Sequence, residues 1–335
     1  MASSEGPNTE PYRMVPALMT SPGEYDGSVL DGLDFLLAEM GRRGLRAVMV
    51  LNNFWQWSGG MAQYVSWHEK TPIPYPGDYE KFIAYSARFY AYPECQDWFR
   101  AHIAMLVDRT NPYTGTKYRD DPAVFSWELA NEPRRYPQSW IEDTAAYIKS
   151  LDPNHMVTTG SEGAPPGEPA QDFVKTHSAP AIDYVTIHIW PQNWDWYDPK
   201  RPATYKAKAE PLADRLFQEA RERGRGDGQA PRPRGVRAGP GVAAAGKNNL
   251  DPASPTANKD LYYAALYKLV SDSIASGGPA MGDNFWAWAG EARPGMSWVG
   301  DPPHEPAGWY SVYDADASTL AVIRAHAAEI AGQMK

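Results

Sequence analysis

Cysteine is almost absent. Cys95 is the single one, which excludes an intrachain disulfide and most thiolate metal sites. Long apolar runs are missing too, so no segment is expected to span a bilayer, and no signal peptide opens the chain. Positive charge falls short of negative, and the net charge of -9 argues against a nucleic-acid partner and for a neutral or cationic ligand. No His, Asp and Glu cluster has metal-ligand spacing, and no glycine-rich phosphate loop joins a strand to a helix, so neither a metal nor a cofactor is expected. One lack is local. From Glu222 to Asn249 the only large aliphatic residues are Val236 and Val242, among Gly, Pro, Arg and Ala. Such a segment cannot form a buried strand, and an irregular stretch of that length is unusual inside a compact domain.

What is present is aromatic. The 335 residues include 13 Trp and 20 Tyr, many in polar, Gly-rich loops rather than at periodic core positions. Sugar rings stack on such faces through their C–H patches, while about half of the Trp side chains are expected to be core. The length suits one large α/β barrel or two ordinary domains. With no internal repeat and no linker between two cores, a single domain over residues 1–335 is expected, irregular at about 222–249.

The chain is organised around Val124-Phe-Ser-Trp-Glu-Leu-Ala-Asn-Glu-Pro133, which reads as a buried strand delivering Asn131 and Glu132 side by side. Pro133 cannot donate a ladder hydrogen bond, so the strand stops and the carboxylate sits at its rim. Barrel enzymes keep their chemistry at the carboxyl ends of parallel strands. The competing reading of Glu132 is a helix N-terminal acid favoured by the dipole. Around this stretch helices and apolar strands alternate. Helices are expected over 28–43, 79–90, 94–109, 138–151, 204–223, 258–276 and 318–334, and strands near residues 46, 125, 156, 183 and 284. Met1 to Glu10 is polar and turn-rich, with no strand of its own.

The stretches Val15-Pro-Ala-Leu, Val50-Leu-Asn-Asn-Phe-Trp-Gln-Trp-Ser-Gly-Gly, Trp127-Glu-Leu-Ala-Asn-Glu-Pro-Arg, Tyr184-Val-Thr-Ile-His-Ile-Trp-Pro-Gln-Asn-Trp and Phe285-Trp-Ala-Trp together resemble glycoside hydrolase family 5, and most closely its endo-β-1,4-mannanase branch. The resemblance implies a (β/α)8 TIM-type barrel that cleaves β-mannan internally with retention of configuration. Retention needs two carboxyls close together across the scissile bond, one an acid/base and one a nucleophile. By the resemblance, Glu132 is the acid/base, Asn131 donates to the sugar 2-hydroxyl, and His188 supports the nucleophile side. A satisfied structural histidine is the alternative for His188. Trp55, Trp57, Trp190, Trp194, Trp286 and Trp288 follow or end strands and are expected at the catalytic rim. About half are expected to touch sugar, with Trp286 the best match to the platform at the cleavage point. Glu162 ends a strand and either lines the cleft or is a solvated turn acid. Glu291 and Asp283 lack a nucleophile's context. The resemblance further implies a secreted monomer with a β-mannan or manno-oligosaccharide substrate, and no membrane partner.

Two departures shape the expectation. Family members carry two strands before the region of Ser3-Ser4-Glu5-Gly6, the second with an arginine that holds the nucleophile. Met1 stands at that point, so an incomplete barrel without its first two strands is expected. The nucleophile's strand should read like Gly-Lys-Pro-Leu-Val-Leu-Glu-Glu-Phe-Gly, whereas Gly228-Gln-Ala-Pro-Arg-Pro-Arg-Gly-Val-Arg-Ala-Gly-Pro240 stands there. Back-translated from the second base of each codon, these residues permit Gly-Lys-Pro-Leu-Val-Leu-Glu-Glu-Phe-Gly-Leu-Ala-Arg without a break. A local frameshift is therefore expected. It disrupts the seventh strand and leaves Gly235 at the nucleophile's position. The resulting expectation is a mannanase-type enzyme impaired as written. The alternatives are a mannan-binding pseudoenzyme, a non-functional remnant, or a cellulase-like member of the same family.

Overall fold

The sequence around Asp26 shows how the local rules are met. In a computed structural model, describing residues 2–75, 77–163, 173–198, 201, 204, 206–226, 253–291, 308 and 310–333, the Asp26 carboxylate accepts the backbone N–H groups of Ser28 and Val29 and starts helix α1, Gly27–Arg42. Leu30, Leu37 and Ala38 are its buried face. Each buried leucine contributes about 2 kcal/mol through the area it removes from water. Asp34 on the same face is fully buried and is matched by two partners, the ion-paired Arg109 guanidinium and the Tyr118 hydroxyl, as a buried carboxylate requires.

The described chain groups into two units, residues 1–161 with 176–184, and residues 162–175 with 185–335. In the first, β1 (Met19–Ser21) and β2 (Glu24–Tyr25) pair antiparallel. Strands β3 (Ala47–Val50), β4 (Val124–Glu128) and β5 (Met156–Thr158) form a parallel sheet in that order. Val50 stands opposite Glu128, and Glu128 opposite Thr158. Helices α2 (Gly60–Glu69), α3 (Tyr79–Ser86), α4 (Pro93–Val107) and α5 (Gln138–Leu151) cover it. The core centres on Trp127, Leu51, Phe54, Tyr64, Phe89, Phe99, Trp140 and Ile141. Trp127 is fully buried and donates its indole N–H to Asp152 at 2.7 Å. Cys95 is buried, its thiol donating to the Tyr64 carbonyl, and burial pushes its pKa up to about 12.

The N-terminus has no strand, as expected, and its first described residues, 2–6, are buried while Pro7, Asn8 and Thr9 are exposed. The Ala2 N–H bonds the Val50 carbonyl at 3.0 Å, and Ser3, Ser4 and Glu5 are buried. Polar residues can be buried here because the Glu5 carboxyl accepts from the Gly60 N–H and the Ser3 hydroxyl, so its polar atoms are satisfied in place.

In the second unit β6 (Trp288–Gly290) pairs parallel with β7 (Val312–Tyr313), and α8 (Ala257–Ala275) packs on α9 (Ala317–Gln333). Helices α6 (Phe173–His177) and α7 (Lys206–Gly226) precede them in the chain. Val185, Ile187, Ile189, Tyr262, Tyr263, Leu266 and Val312 make the core.

Two expected strands are corrected. The run 182–189 contributes one parallel bridge, Tyr184 to Thr158, and its later residues pack as core side chains without a strand ladder. The expected strand over 283–289 starts only at Trp288, because its partner β7 is two residues long. Among the described residues the strands form three separate sheets and close no barrel. The frameshift expectation at Gly228–Pro240 lies outside the described residues, as does most of 222–249. No described helix is long and apolar enough to cross a membrane.

Candidate active site

Backbone ladder bonds continue past the ends of β3, β4 and β5 and bring the site together in the first unit. The Asn131 N–H donates to the Asn52 carbonyl at 2.9 Å, and the Phe54 N–H to the Asn131 carbonyl at 3.0 Å. On the other side the Glu132 N–H donates to the Gly160 carbonyl at 3.0 Å. Glu132 takes a left-handed backbone, φ 50°, which costs a non-glycine residue energy and turns its side chain out of the strand's alternation. Gly160 permits the close approach, since a Cβ there would stand 1.9 Å from the Ala130 carbonyl oxygen.

Glu132 is 7% exposed, at the lip of the sheet, and its Oε2 accepts the Trp55 indole N–H at 2.7 Å. Asn131 is half-buried, and its Nδ2 donates to Asn53 Oδ1 at 3.1 Å. Asn53 is fully buried, and the same Oδ1 accepts the Trp55 backbone N–H at 3.1 Å. Its own Nδ2 donates to Ser58 Oγ at 3.0 Å. The Trp55 ring is itself packed. Phe82 stacks on it at 5.8 Å and 12°, the Arg134 guanidinium lies over it at 4.7 Å, and Phe54 and Tyr79 meet its edges. Trp57 is buried, and its carbonyl accepts the Met14 N–H.

The other expected site residues belong to the second unit. Glu162 and His188 are both buried, and the His188 N–H donates to the Glu162 carbonyl at 3.1 Å. Half-buried Trp190 meets His188 edge-on at 5.8 Å, Trp286 at 6.4 Å and Tyr310 at 5.7 Å. The Tyr310 hydroxyl bonds Asn193 Oδ1. Trp286, whose peptide bond to Ala287 is cis, therefore lies in one aromatic group with Trp190 and Tyr310. Trp288 is separate in kind, lying on β6 and 48% exposed. Each unit thus offers a different chemistry. The first presents a carboxyl and a carboxamide on a fixed frame, suited to giving and taking a proton and bonding a hydroxyl. The second presents ring faces and edges.

Sequence reasoning passed over Asn53, Phe82 and Arg134, and also Tyr310 and Asn193. Asn53 stood inside a quoted motif without a role. Arg134 follows the Asn-Glu-Pro string directly, which was its one available signal. No group of three or more His, Cys, Asp or Glu residues that could hold a metal occurs among the described residues.

Comparison with known proteins follows the same lines. Residues 1–335 match the family described as GH family 5 beta-mannosidase-like. The crystal structure of a glycoside hydrolase family 5 mannosidase from Rhizomucor miehei is similar, with 36% identity over 99% of this chain and 83% of that chain and a TM-score of 0.89. A mutant of that mannosidase, equally similar, was crystallised with mannosyl-fructose. Mannan endo-1,4-beta-mannosidase 7 of Arabidopsis thaliana is 30% identical over 290 residues, 81% of this chain. The chain spans 62% of that relative's length. These relationships imply a (β/α)8 barrel, the fold that the resemblance led us to expect. The matched residues, the fold and the Asn131–Glu132 pair converge: the chain belongs to glycoside hydrolase family 5, in its beta-mannosidase-like group.

Proposed function

We propose that this chain is a retaining hydrolase of β-mannosides, of the endo-β-1,4-mannanase type, with residues 1–335 as one catalytic module. The observation that carries the reading is the Asn131–Glu132 pair, held at the carboxyl end of β4 with Glu132 Oε2 on the Trp55 indole. Glu132 is the acid/base: it protonates the glycosidic oxygen as the bond breaks and later takes a proton from water. Asn131 donates to the sugar 2-hydroxyl. His188 supports the nucleophile side, Trp190 and Trp286 serve as sugar platforms, and Glu162, Trp57 and Trp288 are further candidates for substrate contact. The curated mannan endo-1,4-beta-mannosidases among the relatives support mannan as substrate. Secretion and a monomeric state belong to the same reading.

The chain as written is impaired, because Gly235 stands where the attacking carboxylate belongs and has no side chain. Without that group the covalent route is closed. The test is binding and hydrolysis of soluble galactomannan and manno-oligosaccharides. Binding with weak or absent hydrolysis is expected. Turnover equal to an intact mannanase would show that another carboxylate has taken the role. Failure to bind any manno-oligosaccharide, or preference for a β-glucan, would sink the mannan reading.

A second reading is favoured by the Rhizomucor mannosidase, whose identity and TM-score are high over nearly the whole chain, and by that enzyme's mannosyl-fructose complex. It is a mannosidase acting on short β-mannosides. With residues 228–240 replaced by the in-frame sequence, oligosaccharide fragments from mannan mark the endo enzyme. Mannose alone marks the exo enzyme.

A further inference from the structure

Trp55 is one of the six tryptophans expected at the catalytic rim, about half of them against sugar. The geometry points to another role: we propose that Asn53 and Trp55 form a two-armed bracket that positions the acid/base, with Trp55 acting through its N–H and not through its ring face. The proposal rests on the reading of Glu132 as a proton donor, and it adds to that reading the residues that aim the donor.

The first arm fixes Asn131. An Asn amide has an oxygen and a nitrogen of similar size, and only its partners decide which way it faces. Asn53 settles its own orientation by donating from Nδ2 to Ser58 Oγ, which turns its Oδ1 toward the Trp55 N–H and Asn131 Nδ2. Two donors on one oxygen then hold the Asn131 nitrogen inward. One Nδ2 hydrogen is used by Asn53, and the second is directed by the planar amide for a hydroxyl acceptor.

The second arm fixes Glu132. Its Oε2 accepts the indole N–H at 2.7 Å, the short distance of a charge-assisted bond. The indole N–H occupies one lone-pair site of Oε2 and so fixes the plane of the carboxyl that exchanges a proton with the substrate. The indole cannot drift, because Phe82 stacks on its ring, Arg134 covers it, and Phe54 and Tyr79 block its edges. These contacts also occupy the ring that a sugar platform would need. Both arms leave one short stretch, Asn53 to Trp55, so the two catalytic side chains are indexed to a common support. Misplacing a donor by about 1 Å costs about a hundredfold in rate, which is the benefit such a support preserves.

The test has two parts on the full chain. In the first, the indole N–H signal of Trp55 is assigned by its loss in Trp55→Phe and followed in Glu132→Gln by nitrogen-15 NMR. The signal is expected to move. An unmoved signal overturns the bracket, whatever the chain does to sugars. The second part measures aryl β-mannoside cleavage with azide supplied as nucleophile. Azide attacks the anomeric carbon, the bond to the aryl oxygen breaks with its electron pair leaving on that oxygen, and Glu132 supplies the proton. Trp55→Phe keeps an aromatic ring and removes only the donor. It is expected to lower kcat about tenfold or more for 4-nitrophenyl mannoside, with KM within about twofold, the size expected for one charged hydrogen bond. The 2,4-dinitrophenyl mannoside, whose leaving group needs little protonation, is expected to lose less than about threefold. Equal losses on both substrates, or a change confined to KM, overturn the proposal. No cleavage of either substrate by the unsubstituted chain sinks the sugar-cleaving function instead, and the NMR result still decides the bracket.

Discussion

The two units hold their site residues by opposite means. In the first, Glu132, Asn131, Asn53 and Trp55 are joined by directed hydrogen bonds of 2.7 to 3.1 Å, each fixing the next. In the second, Trp190, Trp286 and Tyr310 meet through ring contacts of 5.7 to 6.4 Å. Hydrogen bonds are directional, and a lost partner leaves a buried group unsatisfied. Ring contacts are broad and tolerate small shifts. A proton must be delivered along one line, whereas a sugar face can slide on an aromatic one. The first unit should therefore answer to substitution in rate and the second in affinity.

The largest effect should come from outside both groups. Replacing residues 228–240 by Gly-Lys-Pro-Leu-Val-Leu-Glu-Glu-Phe-Gly-Leu-Ala-Arg is expected to raise galactomannan hydrolysis at least about a thousandfold, measured as reducing ends released. No gain would remove the frameshift reading. Next in size is Trp127→Ala. It empties a fully buried site beneath Glu132's strand and strips Asp152 of its indole donor. A loss of about 3–5 kcal/mol is expected in urea unfolding. A loss below about 1 kcal/mol would show that the first unit is less rigid than its bonding suggests.

The first unit also carries a pH signature. Burial raises the Glu5 carboxyl to about 7, against the opposing pull of Ser3, the Gly60 N–H and Arg13. A carboxyl that keeps its proton when folded stabilises the fold at low pH, and stability falls as pH rises from about 4.5 to about 7, by about 3 kcal/mol. Buried His102 runs the other way. Its pKa is pushed down to about 4 by desolvation, partly offset by its bond to the Ala2 carbonyl, so stability falls as pH drops from about 6.5 to about 4. Between about 4.5 and 6.5 the two slopes oppose each other. Glu5→Gln is expected to unmask the His102 slope, so that the urea midpoint rises with pH across that window. A midpoint in Glu5→Gln that still ignores pH would contradict this account. The smallest effect is Trp286→Ala. It should weaken manno-oligosaccharide binding about tenfold by calorimetry, about 1–2 kcal/mol for one aromatic face, and leave the Trp55 indole signal in place. Movement of that signal would erase the contrast drawn between the units.

How much of this was legible depended on distance along the chain. Asn131 and Glu132 are adjacent and end a strand, so their pairing could be read directly. α1, α5, α8 and α9 emerge within one or two residues of the periodic pattern, because each has one buried and one solvated side. α2 was missed for the opposite reason: Gly60 to Val65 are all buried, so no polar face marks the turn of the helix. The bracket was illegible because its arms join residues 77 and 78 positions apart, a spacing set by the parallel sheet alone. The N-terminal stretch has no strand, as expected, but the burial of Ala2 to Glu5 was not legible, because composition records polarity and not whether a polar atom finds a partner indoors. The expectation placed Trp55 at the rim without saying which part of the indole acts. A sequence shows an indole beside a strand end, but not the phenyl ring and guanidinium that already cover it.

The lone thiol has a practical consequence. With its pKa near 12, Cys95 holds almost no thiolate at neutral pH, and it is walled in by the first unit's core. A reporter cysteine placed on an exposed position would then be the sole accessible thiol toward maleimide or iodoacetamide at neutral pH. Fluorescent or spin probes can be installed one at a time, without first mutating the native residue away.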